Sequence, residues 1–380
     1  MEDSSVELEK SERALLDAAK GGDEAAFRGL VEPLTRELAA YAYRMLGGYQ
    51  DAEDALQETR LKAWRHLGSY EHTASLPESG ARACSRANLH GSFRAWVYRI
   101  ATNTCLDMLR QRQRRVLPQD VGPPVAPGPP MTAMREDISW LEPYPDTLLP
   151  ATSSPEETLR LHESVRLAFV RAMQVLPPRQ RAALILHDVL DFGVSDVATM
   201  LETTVPAINS ALQRARASRE RAPSDRDGET SAAANECIEA RKAETVARFV
   251  RAWETGDFAE LVSMLTEDAV LTMPPWVYWL AGRDAVAATM QSRGTWDGEP
   301  RPGRYRIVPC GMNGQPAGLA YVRFGDGPYV AVCMTVITLT PDGRISGMDT
   351  FVLPKHFAAW GHPAALDPAT APSAPGAPRD

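Results

Sequence analysis

The stretch LPQDVGPPVAPGPP, residues 117–130, constrains the fold of this chain more than any other. Proline fixes φ and has no N–H to donate, so a run this rich in proline and glycine forms neither a helix nor a central strand. It divides the 380 residues into separate folding blocks, as the length alone also requires. The expected linker spans 117–157, and its acids outnumber its bases. It is read as a flexible, acidic, Pro-rich strap.

Residues 11–116 read as helix throughout. Phe27, Leu30, Val31, Leu34, Leu38, Tyr41, Ala42 and Met45 recur at three-and-four spacing. They predict one face of a long helix that ends at Gly47 and Gly48. A second helix is predicted to begin near Asp51 as N-cap. A third carries Phe93, Trp96, Val97, Ile100, Ala101 and Cys105 and runs into the basic tail RQRQRR at 110–115. Trp96 lies on its apolar stripe and is assigned to the core; Tyr98 lies off the stripe and stays open.

Residues 158–222 are again helical. Within them Ser195 is a predicted cap for a short helix through Leu201. Thr203 or Thr204 caps the next, with Pro206 in its first turn. Ile208, Ala211, Leu212 and Ala215 form an inward stripe, which leaves Asn209, Ser210, Gln213, Arg214 and Arg216 outward. That is a helix-turn-helix pattern, and a solvated helical hairpin would look the same.

Residues 236–362 change character. A helix on Val246, Phe249, Val250 and Trp253 precedes strand-like runs such as YVAVCMTVITLT, and Thr340-Pro-Asp-Gly343 marks a turn. Helices followed by an antiparallel sheet give an α+β block. The tail at 363–380 reads as disordered.

The net charge of −8 argues against gripping nucleic acid by charge alone. The five cysteines are scattered and form no CxxC pair, which points to reduced thiols in the cytoplasm. The N-terminus, MEDSSVELEKSER, has no apolar core of a signal peptide. No apolar run approaches the ~18 residues of a membrane span. A cytoplasmic protein without membrane contact is expected.

DAEDALQETRLKAW and GSFRAWVYRIATNTCLDMLRQRQRR resemble region 2 of the extracytoplasmic-function sigma factors, in the sigma-70 class of RNA polymerase subunits. LPPRQRAALILHDVLDFGVSDVATMLETTVPAINSALQRARA resembles their region 4. The resemblance covers residues 11–222. VARFVRAWETGDFAELVSMLTEDAVLTMPP is similar to the start of a SnoaL-like, NTF2-type cone, and WLEPYPD in the linker resembles members that carry such a domain. The implied architecture is multidomain: two all-α sigma domains, 11–116 and 158–222, followed by an α+β cone, 236–362.

The resemblance implies that RNA polymerase core enzyme and promoter DNA are the partners. Asp51, Glu53, Asp54, Gln57, Glu58 and Lys62 would meet the polymerase clamp. Asn103 would read an unstacked base of the downstream element, with Arg99, Arg110, Arg112, Arg114 and Arg115 on phosphates. Asn209, Ser210, Gln213 and Arg214 would face the upstream duplex. The linker would thread the polymerase channel that later holds RNA. The cone would regulate in cis.

The cone also admits other readings. Asp268, Trp276, Tyr278 and Trp279, with Asp349 and His356, are candidates to line a pocket for a small-molecule ligand, or for isomerase or cyclase chemistry. No complete acid–base constellation is evident, so no enzyme, cofactor or metal is expected. A free-standing helix-turn-helix regulator is a third reading. The segment EHTASLPESGARACSRANLH at 71–90 is an insertion relative to the family; His72, Cys84 and His90 within it fit no zinc spacing.

Overall fold

In a computed structural model, the described residues are 12–70, 92–128, 133–220, 232–293 and 303–368. The chain forms two compact units. One comprises Met1–Arg115 with Leu148–Ser224, the other Val116–Thr147 with Asp225–Asp380.

The first unit is helical. After α1 (12–20) come α2 (Glu24–Val31) and α3 (Thr35–Leu46). The expected single long helix is interrupted between them by a 3₁₀ turn, Glu32–Leu34, that contains Pro33. A proline has no N–H for the i−4 carbonyl and its ring crowds that carbonyl, so the α-helical ladder breaks there. Gly47 ends α3 at φ 74°, donating its N–H to the Tyr43 carbonyl. This left-handed position favours glycine.

Helix α4 (Tyr49–His66) starts two residues before the predicted Asp51, with Gly48 as N-cap. Asp51 is only 7% exposed. Its carboxylate accepts from Arg115 Nε and Nη2 at 2.9 and 2.7 Å and also pairs with Arg112. A Cβ on Gly48 would collide with that Arg115 guanidinium, so the glycine makes room for the pair.

Ser92 caps α5 (Phe93–Gln111), its Oγ accepting from the Ala95 N–H at 3.2 Å. The aromatics of α5 differ in depth from the expectation that put Trp96 in the core and left Tyr98 open. Tyr98 is fully buried against Tyr41 and Phe192, whereas Trp96 is half-buried on Tyr70 and Phe93. The partner Phe192 comes from a distant stretch of sequence, so the local periodicity of α5 could not show it.

The remaining helices are α6 (Pro155–Val165), α7 (Leu167–Val175), α8 (Pro178–Leu184), α9 (Val194–Met200) and α10 (Val205–Glu220). A π-helical turn, Ile185–Val189, extends α8. They join the first block through buried polar contacts. Arg44 donates to the Ser164 Oγ and carbonyl at 2.7 and 3.2 Å. Arg181 donates to the carbonyls of Met45, Gln174 and Leu176 and to Gln174 Oε1.

In the second unit, α11 (Ala232–Thr255), α12 (Phe258–Ser263) and α13 (Arg283–Arg293) pack on a sheet. Its strands are β1 (Leu265–Thr272), β2 (Trp279–Ala281), β3 (Tyr305–Met312), β4 (Gln315–Arg323), β5 (Tyr329–Leu339) and β6 (Ile345–Phe351). The order is β2-β1-β6-β5-β4-β3, antiparallel except for β1 beside β6. Phe249, Val250, Leu261 and Val286 from the helices meet Ile307, Ala320, Cys333, Ile337 and Met348 from the strands in one core. The predicted turn closes β5 onto β6, with Gly343 at φ 84° donating to the Thr340 carbonyl.

Two segments expected to be loose are attached to this unit. Described linker residues from Gly122 to Asp146 bond to the cone, and β7 (Ala365–Leu366) pairs with Tyr329 and Val330 of β5. The Tyr321 hydroxyl donates to the Pro363 carbonyl at 3.0 Å. The rest of the tail, 369–380, lies outside the described residues.

Burial pushes the thiols of Cys105, Cys310 and Cys333 up to about 12. Only a thiolate alkylates readily, so these three should stay unmodified by iodoacetamide at pH 8 in the native protein and react in urea, as read by peptide mass. Their contribution to stability is full below about pH 8.5, where unfolded thiols begin to ionise, and is lost as pH rises towards 12.

Candidate nucleic-acid interface

The helix-turn-helix is α9, a tight turn and α10. Helix α9 starts at Val194 with Gly193 as N-cap, one residue before the predicted Ser195. It ends in a turn where the Thr203 N–H donates to the Ala198 carbonyl at 2.9 Å and Glu202 sits at φ 51°. A six-residue return of this kind closes the last helical carbonyls. Thr204 Oγ1 accepts from the Ala207 N–H at 3.4 Å and caps α10. Ile208, Ala211, Leu212 and Ala215 are buried as predicted, and Asn209, Ser210, Gln213 and Arg214 are exposed together on the opposite face. Arg216 is held elsewhere: it donates to both oxygens of Asp188 at 2.5 and 3.0 Å.

On α5, Asn103 is exposed, and four of the neighbouring arginines are engaged by carboxylates. Arg99 meets Glu202 at 2.8 Å and Arg110 meets Asp107 at 2.6 Å. Arg112 pairs with Asp51 and lies 3.9 Å from Asp54, and Arg115 pairs with Asp51 at 2.7 Å. Arg114 is exposed on the same tail. The arginine-rich surface is thus largely neutralised by its own protein. Sequence reasoning missed Glu202, Phe192 and Arg94 here. Arg94 lies 4.9 Å from the Tyr98 ring centroid and 4.7 Å from that of Phe192, and pairs with Glu37 at 2.9 Å. No local signal announces such contacts between distant stretches.

Helix α4 places its polar candidates unevenly. Asp54 and Gln57 are exposed, while Glu53, Glu58 and Lys62 are half-buried. Lys62 pairs with Glu58 at 3.6 Å and donates to Thr104 Oγ1 at 3.3 Å. Burial raises the Glu53 carboxyl above its ordinary range, with Arg60 opposing. Asp51 faces inward. Leu61 is an exposed apolar side chain on the same helix, a feature that sequence reasoning passed over.

In the cone, Asp268 is exposed on β1, whereas Trp276 and Tyr278 belong to the core. Trp279 is half-buried and donates its indole N–H to the Gly122 carbonyl of the linker at 2.8 Å. Asp349 accepts from Thr272 Oγ1 at 2.6 Å, and His356 stacks near Trp360. Among the described residues, no group of three His, Cys, Asp or Glu side chains is placed to hold a metal ion, and no helix is long and apolar enough to cross a membrane. His72, Cys84 and His90 lie outside the described residues.

Comparison with known proteins agrees with this layout. Family models match as "Sigma-70 region 2" over residues 30–77 and 81–115, "Sigma-70, region 4" over 166–218 and "SnoaL-like domain" over 246–348. The ECF RNA polymerase sigma factor SigG of Mycobacterium tuberculosis is 37% identical over 365 residues, which cover 96% of this chain and 90% of that one. This chain belongs to the ECF RNA polymerase sigma factors. The sigma-H factor of Pseudomonas aeruginosa is 28% identical over 208 residues, covering 55% of this chain and 91% of its own. The crystal structure of the M. tuberculosis sigma factor SigJ aligns with a TM-score of 0.50 at 23% identity, covering 87% of this chain and 97% of that chain, a likeness of fold.

As a sigma factor the chain directs promoter-specific initiation by RNA polymerase, and α5 with its tail and α10 are the elements that carry the DNA-facing candidates. The position of Asp51 separates a structural role from a docking role. Asp51→Ala should lower stability by roughly 2–3 kcal/mol, less than the ~3–5 kcal/mol of a fully buried pair because Arg112 lies near the surface. Thermal unfolding checks this, and Gln57→Ala should leave the melting temperature unchanged.

Proposed function

We propose that the SnoaL-like cone regulates this sigma factor by capturing the linker between regions 2 and 4. The observation that carries the reading is the run of bonds from residues 116–147 to the cone. The Val125 N–H donates to the Trp279 carbonyl at 2.9 Å, and the Arg135 N–H to that of Pro275 at 3.0 Å. Tyr144 and Asn313 exchange two bonds, at 2.9 and 2.8 Å, and Asp146 accepts from the Gly314 N–H at 2.7 Å. In the family the linker follows the polymerase channel meant for RNA. A backbone whose donors and acceptors are spent on the cone is not available to that channel, so capture and threading exclude each other.

The residue roles rest on the family likeness, and exposure on α4, α5 and α10 supports them. Gln57 and Asp54, beside exposed Leu61, face the polymerase. Asn103 reads a downstream base. Asn209, Ser210, Gln213 and Arg214 meet the upstream duplex, where an Arg to guanine contact is worth ~1–3 kcal/mol of discrimination. Within the cone, Tyr278 Oη and Trp253 Nε1 are buried without a hydrogen-bond partner. That favours a second reading in which a small apolar ligand with polar groups enters the core; a screen by thermal shift on the full chain reads it directly.

The test is transcription in vitro with purified core polymerase. Asn313→Gly removes the side-chain bond to Tyr144 and keeps the left-handed backbone, as φ at Asn313 is 58°. It should change promoter output several-fold relative to wild type, in the same direction as a chain cut near residue 222. Equal output from all three proteins across promoters would remove capture as the regulatory step. A chain that never directs initiation with core enzyme would overturn the residue roles.

A further inference from the structure

Region 2 and region 4 meet at one place that matters for DNA. Arg99, on the helix that carries Asn103, donates Nη2 to Glu202 Oε1 at 2.8 Å. Glu202 occupies the turn between α9 and α10, held there by its own left-handed backbone and the Thr203 to Ala198 return. Beside this pair, Phe192 packs edge-on against Tyr98 at 5.1 Å between centroids and lies under the Arg94 guanidinium. His187 Nδ1 bonds the Phe192 carbonyl at 2.9 Å and fixes the segment that presents it. Arg44 to Ser164 and Arg181 to Met45 close the same junction further along α3.

We propose that Glu202 is an internal substitute for a promoter phosphate: it occupies Arg99 in a closed arrangement of regions 2 and 4 that must open before the downstream strand is read. The chemistry of the two ligands is shared. A guanidinium binds a carboxylate and a phosphate through the same planar pair of donors. The two compete for Arg99: Glu202 already holds its Nη2 in a solvent-exposed pair, and the carboxylate repels a phosphate brought to the same guanidinium. The turn that leads into the upstream-reading helix thereby masks the downstream-reading one. The proposal rests on reading α5 as DNA-facing, and goes beyond it by naming what blocks that face in the absence of polymerase.

The experiment uses the full chain, alone and bound to core polymerase. The probe is a labelled single-stranded oligonucleotide carrying the non-template strand of a promoter that the wild-type holoenzyme transcribes. Glu202→Gln keeps the shape of the turn and removes the charge. In the free protein it should tighten probe binding about two- to fivefold, the scale of a surface ion pair. It should also steepen the dependence of log K on log salt by about 0.7, one added phosphate contact on a single strand. In the holoenzyme, where the regions are separated, Glu202→Gln should match wild type at this probe. Amide exchange in α5 should rise in the free variant and on polymerase binding.

An unchanged affinity, salt slope and α5 exchange in the free variant would overturn the proposal. An equal gain in free protein and holoenzyme would also overturn it, because that is general charge removal. Phe192→Leu, which loosens the apolar half of the junction without altering charge, should shift the free protein in the same direction as Glu202→Gln; a shift the other way counts against the closed arrangement. Arg99→Ala in the holoenzyme separates the two levels. If it leaves probe affinity intact, the DNA-facing reading of Arg99 itself fails; if it lowers affinity while Glu202→Gln does nothing to the free protein, only the mask fails.

Discussion

Desolvated arginine governs how the helical half of this protein is held. Arg181 is 3% exposed, and all four of its hydrogen-bond acceptors are carbonyl oxygens. Burial lowers its guanidinium to about 10, which still leaves it charged at neutral pH. A buried cation is costly unless its donors are satisfied. Met45, near the end of α3, supplies a carbonyl that the helix leaves without an internal partner and that carries the negative end of the helix dipole. The contact therefore engages both terminal nitrogens of the cation and a helix terminus at once, while Arg181 Nε stays buried without a partner, and it couples region 2 to region 4. It is also a contact that water could satisfy, unlike an apolar core. A junction built this way separates at lower cost than one sealed by aliphatic side chains.

The same economy of charge explains how an acidic protein can carry a DNA-facing surface. Asp51, Asp107, Asp188 and Glu202 each hold an arginine of α5, its tail or α10. Such pairs screen the field that would otherwise draw in any polyanion, and nonspecific binding is mostly that field. On the proposed residue roles, specificity rests with the side chains left outward, Asn103, Asn209, Ser210, Gln213 and Arg214, rather than with the paired arginines. The affinity must come from the polymerase.

Legibility of the fold followed the range of the interactions involved. The stripe of α10, its threonine cap and the Thr340–Gly343 turn are decided within a few residues, and the sequence pattern shows them. The Pro33 break was equally local, but the strong apolar periodicity on either side concealed it. Tyr98, Asp51 and the linker are different. Tyr98 is buried by Phe192, Asp51 by arginines beyond the next helix, and the linker by backbone bonds to Trp279, Pro275 and Asn313. Proline-rich composition excludes an α-helix, although a short 3₁₀ turn forms at Pro118–Asp120, and it says nothing about whether an extended chain finds a surface. The polar outer face of α10 was visible from spacing; the carboxylates that occupy the α5 arginines were not, since an ion pair between distant segments leaves no period.

The linker's composition bears on why it can be held in one place and used in another. The linker bonds to itself at a few points, such as Val116 N–H to the Ser139 carbonyl and Leu141 N–H to that of Val116, and leaves other backbone groups for an external partner. Its conformational freedom is already reduced by the prolines, and ordering it on any surface forfeits less entropy than ordering an ordinary loop. On the proposed capture, the cone and the polymerase channel would compete for it at similar cost, with the balance turning on a few bonds such as those of Asn313 and Asp146. A ligand or partner of the cone would shift that balance only by its differential affinity for the linker-bound and linker-free states. Contacts near Trp279, which touches the linker and stands next to the core residue Tyr278, are where such a difference would be largest.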